Sequence, residues 1–208
     1  MQEYSFLIAI AGVLLVGAMS PGPSFLVVAQ NSLAKSRTHG VATAFGTGIG
    51  VAIFALLASV GVTTLLEKIP SVYMAFKLFG GAYLLYLAYQ IWSGAKKALP
   101  TANQNTVVTH SLSKSFLMGL VTQTSNPKTA LVIAGIFAAF VPANPPANTS
   151  VLVALIAFII DFSWYSLVAF TLSVERSKII YAKAKTNFDR TASVFLGFVG
   201  IKLMMPIV

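Results

Sequence analysis

Ser125, Asn126, Pro127 and Lys128 stand in the middle of an apolar run from about Phe116 to Phe140, where a proline and a cation need a reason to be. A run of that length is a membrane-spanning candidate. Inside a bilayer a broken helix is tolerated only where protein or a water-lined cavity receives the freed backbone groups. Lys128 lies about twelve residues from either end of the run, roughly 18 Å at 1.5 Å per residue. That is beyond the reach of its side chain, so the ammonium must face a partner or a cavity. The one acid inside an apolar run is Asp161, about ten residues into a later segment and so close to the midplane as well. Either charge alone in lipid costs several kcal/mol, so the matched depth predicts that the two meet. A structural ion pair is the plain reading; a site for a ligand that carries both charges is the functional one.

A second break stands at Ser20-Pro21-Gly22-Pro23, within the first apolar run. Proline removes a backbone donor and clashes with the preceding turn, and glycine lets the chain leave helical angles, so this helix should bend or divide. Laying Ser20 on Ser125 sets Pro23 on Lys128, Ser24 on Thr129, and Leu26-Val27-Val28-Ala29 on Leu131-Val132-Ile133-Ala134. The correspondence suggests a repeat. Two exposed half-helix starts, after Pro23 and after Pro127, would each attract an anion through the helix dipole, and Lys128 adds a full charge. That end suits a carboxylate, and Asp161 suits an ammonium. The pair complements a zwitterion.

The elements that must hold these residues are six apolar spans, at roughly Ser5 to Leu33, Val41 to Leu65, Ser71 to Trp92, Phe116 to Phe140, Val151 to Leu172 and Ala192 to Val208. With 57% hydrophobic and only 9% charged residues, the chain is an all-α integral membrane protein. Residues 1–208 read as one transmembrane domain, with repeats of about 1–95 and 111–208 joined by a basic linker over 96–110. Three spans per half is an odd number, so the halves would be inverted relative to each other, with broken helices 1 and 4 at the centre. The +9 net charge sits in short loops rather than on one face with interleaved aromatics, which argues against nucleic acid. Lys35, Arg37, Lys96, Lys97, Lys114, Arg176, Lys178, Lys183, Lys185 and Arg190 fall after odd-numbered spans, which puts those loops in the cytoplasm and both termini outside. Glu3 with no Lys or Arg before the first run argues for a retained helix rather than a cleaved signal.

The remaining polar residues read more plainly. Lys77 and Lys202 lie close enough to span ends to snorkel. Gly46, Gly48 and Gly50 imitate a dinucleotide fingerprint, but no strand precedes them, and close helix packing through Gly46 and Gly50 is the better reading. Tyr4, Tyr89 and Trp92 fit interfacial belts, and Trp164 and Tyr165 follow Asp161 by one turn, facing a cavity or lipid. Asn148-Thr149-Ser150 matches a glycosylation sequon. His39 and His110 have no second ligand at metal spacing, and no metal or other cofactor is implied. The absence of cysteine removes disulfides and thiolate chemistry. Ser20, Ser24 and Ser125 have no histidine at membrane depth, and one Asp makes no aspartyl pair, so an enzyme is not expected.

Ser20-Pro21-Gly22-Pro23, Asn126-Pro127-Lys128, the Gly46-rich second span ending in Glu67-Lys68, Gly80-Gly81-Ala82-Tyr83-Leu84 and the acid at Asp161 together resemble the lysine exporter superfamily, in its threonine and homoserine efflux branch. The resemblance covers nearly the whole chain. It implies a six-helix bacterial inner-membrane exporter of amino acids, driven by exchange for protons. Relatives that carry electrons through paired cysteines are a different branch. Substrate binding is expected at Ser20, Pro21, Gly22, Pro23, Asn126, Pro127, Lys128 and Asp161. Asp161 is also the expected proton carrier, since a buried carboxylate near a cation can be held in either protonation state and substrate can change which. A single intramembrane acid favours neutral or hydroxylated substrates such as threonine or homoserine over basic ones; a channel for a small solute is the alternative class. Partners are then the amino acid, protons, lipid and, from the small-residue stripes, a second copy in a homodimer.

Overall fold

The computed structural model describes residues 4–20, 22–96, 111–142, 145–172 and 175–205. Among them are eight helices and no strand: α1 (Phe6–Met19), α2 (Pro23–Ala34), α3 (Arg37–Lys68), α4 (Pro70–Gly94), α5 (Leu112–Thr124), α6 (Pro127–Phe140), α7 (Thr149–Leu172) and α8 (Glu175–Met204). The chain is an all-α membrane protein. Among the described residues α3, α4 and α7 are each long and apolar enough to cross a bilayer, and the α1–α2 pair, bent by 57°, reaches that length and apolarity only when taken together. All of the basic linker but Lys96, Lys97 and His110 included, lies outside the described residues, as does Pro21.

Both breaks fall where proline chemistry puts them. Gly22 caps α2 in an extended conformation, φ −150° and ψ −168°, and Pro23 takes the first helical position, where its missing N–H costs nothing. At the second break Asn126 caps α6, its side-chain oxygen accepting from the Lys128 N–H at 3.1 Å, and Pro127 again comes first. Neither α5, with 13 residues, nor α6, with 14, is long enough to span alone.

The last helix corrects the sequence reading. The basic stretch before Ala192 was expected to be loop, yet α8 starts at Glu175 and runs for 30 residues. Glu175 to Arg190 contains no glycine or proline and is rich in good helix formers, so nothing stops the helix early. Its buried positions Lys185, Asp189, Ala192, Leu196, Val199 and Leu203 form one continuous stripe at helical spacing. Asp189, at 5% exposure, is a second buried acid in the bundle.

Close backbone contact holds the bundle. A Cβ on Gly46 would collide with the Phe116 carbonyl oxygen, and one on Gly119 with the Thr43 carbonyl oxygen, so α3 and α5 cross at a distance only glycine permits. Gly50 meets the Gln123 side chain in the same seam. On the other side of the bundle a Cβ on Gly81 would come within 2.8 Å of the Gly200 carbonyl oxygen, and one on Gly200 within 2.9 Å of the Gly81 carbonyl oxygen, so α4 and α8 also meet at a distance that glycine permits. Gly46→Ala is therefore expected to destabilise by about 2–3 kcal/mol through overpacking. Gly12→Ala, where a Cβ would meet nothing within 4 Å, should be near neutral. Thermal unfolding of the two variants in detergent checks the contrast.

The core divides into two apolar layers. One holds Leu14, Val51, Val132, Ala157 and Leu196; the other holds Phe25, Ala44 and Tyr165. Along α3, Thr47 lies between Ala44 and Val51; along α7, Asp161 lies between Ala157 and Tyr165; the α1–α2 break lies between Leu14 and Phe25. A polar layer thus crosses the bundle at the level of the breaks.

Lys77 and Lys202 find partners within the bundle. Lys77 is buried and donates to the Met205 carbonyl at 2.7 Å, capping the end of α8. The Lys202 ammonium lies 3.8 Å from the centre of the Phe140 ring. Trp92 at the end of α4 is exposed and carries the Arg190 guanidinium 5.3 Å over its ring.

Candidate functional site

The polar layer encloses a cavity of about 60 Å³. One break supplies Ser20, Gly22 and Ser24, the other supplies Gln123, Asn126, Lys128 and Thr129, and α7 supplies Asp161 and Tyr165. Leu14, Val51, Val132, Ile133, Ile160 and Leu196 make the apolar walls. The first turns of α2 and α6 both open onto this space, so two helix N-termini and one ammonium face it together. Among the expected site residues, Ser20, Gly22, Asn126, Lys128 and Asp161 line the cavity. Pro23 and Pro127 are exposed and contribute by starting α2 and α6.

Lys128 and Asp161 do not pair. Lys128 Nζ donates to Ser20 Oγ at 3.5 Å, and the Ser20 hydroxyl donates to Asp189 Oδ1 at 3.2 Å. Asp161 faces α5 instead, its Oδ1 accepting from Gln123 Nε2 at 3.5 Å. Its Oδ2 is buried with no well-aligned donor, the neighbouring Thr47 hydroxyl giving its proton to the Ala44 carbonyl at 2.9 Å. A match in depth fixes the level of two residues in the bundle but not the direction in which each points. The two charges therefore share one cavity with neither cancelling the other, an arrangement that a buried group tolerates only if something else comes to satisfy it.

Gln123 is the residue that sequence reasoning missed. Its amide receives the Ser24 hydroxyl on the carbonyl side and donates to Asp161 on the other, so it joins α2, α5 and α7 across the cavity. A glutamine in an apolar segment was the available signal, since it must find partners on both ends when buried. Gln123→Leu would leave Ser24 and Asp161 Oδ1 without their partner. A rise in substrate KM of about tenfold, the equivalent of one lost hydrogen bond to a charged group, is the expected result in transport assays. Asp189 was hidden differently, in a charged stretch read as loop; counting back from Leu203 along the apolar stripe lands on it.

Other expected positions are placed as follows. Tyr165 lines the cavity, whereas Trp164 packs edge-on against Phe188 with centroids 5.9 Å apart. His39 Nδ1 shares a 2.8 Å hydrogen bond with Ser36, and no group of potential metal ligands occurs among the described residues.

Comparison with known proteins places the chain in a family. The family model described as LysE type translocator matches residues 15–206. The chain belongs to the LysE family. Membership makes it a translocator and not an enzyme. The chain is 31% identical over 202 residues to the threonine efflux protein of Escherichia coli K12, covering 95% of this chain and 97% of that one. It is 30% identical over 198 residues to the threonine efflux protein of Salmonella typhimurium, covering 94% and 96%. The leucine efflux protein of Salmonella choleraesuis is 29% identical over 192 residues, covering 89% of each. No solved structure matches this LysE-family chain.

Proposed function

We propose that this chain exports a neutral or hydroxylated amino acid of about the size of threonine in exchange for protons. The observation that carries the proposal is the cavity in which Lys128 and the buried Asp161 Oδ2 stand apart without pairing. A substrate carboxylate fits between the starts of α2 and α6 beside Lys128, Ser20 and Asn126. The substrate ammonium then approaches Asp161 Oδ2, and Gln123 holds the acid in place from the opposite oxygen. Asp161 is also the group that carries the coupling proton. The threonine efflux relatives support the substrate class. The leucine efflux relative and the apolar wall of Val51, Val132 and Ile160 favour one second reading, a substrate with a branched apolar side chain.

In this reading the membrane is the bacterial inner membrane, crossed six times with both termini on the periplasmic side. The chain is two inverted repeats, with α1–α2 answering α5–α6, α3 answering α7 and α4 answering α8. The paired proline-led breaks support it, as do the contacts of α3 with α7 and of α4 with α8, each helix meeting its counterpart. Efflux from proteoliposomes loaded with an amino-acid mixture under an imposed pH gradient tests substrate and driving force together. Saturable counterflow of threonine or leucine, accelerated by the gradient, is the expected result. Large ionic current without saturation would make the protein a channel instead.

A further inference from the structure

A second polar network enters the cavity from α8. Asp189 Oδ2 lies 2.7 Å from Lys185 Nζ one turn earlier, and Asp189 Oδ1 receives the Ser20 hydroxyl. Ser20 in turn receives the Lys128 ammonium. Lys185 is shared, since it also donates to the carbonyls of Gly94 at 3.4 Å and Ala95 at 3.3 Å, and the Thr186 hydroxyl donates to the Ala95 carbonyl at 3.1 Å. One line of polar atoms therefore runs from the cation in the cavity to the C-terminal end of α4.

We propose that Asp189 is the resident counter-anion of the Lys128 subsite, displaced when a carboxylate enters the cavity, and that its displacement loosens the junction between α8 and the end of α4. The proposal rests on the reading of Lys128 as a carboxylate subsite. Ser20 has a single hydroxyl proton and can give it to one acceptor at a time. An incoming carboxylate on Lys128 competes for that proton and repels Asp189 across it. Asp189 then leans wholly on Lys185, which draws the Lys185 ammonium away from the Gly94 and Ala95 carbonyls. The end of α4 loses the donor that ties it to α8. Asp189 acts through Ser20 and Lys185, as a positioning residue.

Two measurements test this. The chain has no cysteine, so Ser93→Cys and Asn187→Cys, both at exposed positions, accept spin labels without background. Saturating propanoate or threonine is expected to shift the label distance distribution, and threonine amide, which lacks the carboxylate, is expected to leave it unchanged. No shift with either carboxylate, or the same shift with the amide, would overturn the proposal. The second measurement is kinetic. Asp189→Asn removes the resident anion, and the double variant Lys185→Gln with Asp189→Asn does so without stranding a buried lysine. Both are expected to lower the KM for threonine counterflow by about fivefold, the scale of one nearby charge in a partly wet site. A merely structural role would reduce the amount of folded protein and leave KM where it was, and an unchanged or raised KM in both variants overturns the proposal. A propanoate response in a protein that shows no amino-acid counterflow would refute the export reading and leave the counter-anion standing.

Discussion

Lys128→Ala is expected to slow threonine counterflow by roughly 100-fold or more, the effect of losing about 3 kcal/mol of charge-assisted binding in a buried site. The alanine variant removes the one ammonium that lines the cavity among the described residues, while the helix starts of α2 and α6 remain. Those starts alone offer N–H groups and a partial charge, worth about 1 kcal/mol, which is too little to hold a carboxylate against water. The fold should survive the change. Asp189 keeps its 2.7 Å pair with Lys185, so no acid is stranded, and the α6 cap uses the backbone N–H at 128, which alanine retains. Wild-type protein level in the membrane with lost counterflow is the expected combination. Lys128→Arg keeps the charge but extends it on a longer, planar head, and partial activity is expected from it. Counterflow at the wild-type rate in the alanine variant would remove Lys128 from the site.

The sequence showed the levels of the bundle better than its directions. Prolines in two apolar runs must break their helices wherever the helices go, so both breaks were legible, and close packing was the better reading of the glycines at 46 and 50. The polar layer at the midplane followed from where Lys128 and Asp161 stand in their runs. Which group each one meets was not legible. Rotation about a helix axis is decided by packing between elements far apart in sequence, such as Gly46 against Phe116, and that packing turns Asp161 towards Gln123 and Lys128 towards Ser20. Asp189 was missed for a related reason. A charged stretch is read as loop by its average polarity, whereas α8 hides two of those charges on its inner stripe and exposes Asn187 and Arg190.

Asp161→Asn separates the two roles given to that residue. Asparagine keeps an oxygen for the Gln123 amide, so the link among α2, α5 and α7 is preserved, but it neither attracts an ammonium nor takes up and releases a proton. Exchange of labelled for unlabelled threonine needs no net proton movement, and it is expected to persist with KM raised about tenfold, the cost of replacing an ionic partner by a neutral one. Accumulation driven by an imposed pH gradient is expected to vanish altogether, and the dependence of exchange on pH to flatten. Asp161→Glu retains an acid one methylene longer and should recover part of the gradient-driven flux. If the carboxylate were only a structural element, both modes would fall in proportion with the amount of folded protein, and glutamate would rescue neither selectively. Gradient-driven accumulation that survives in the asparagine variant would assign the proton to another group, and Asp189 is the only other buried acid among the described residues that reaches the same cavity, through Ser20.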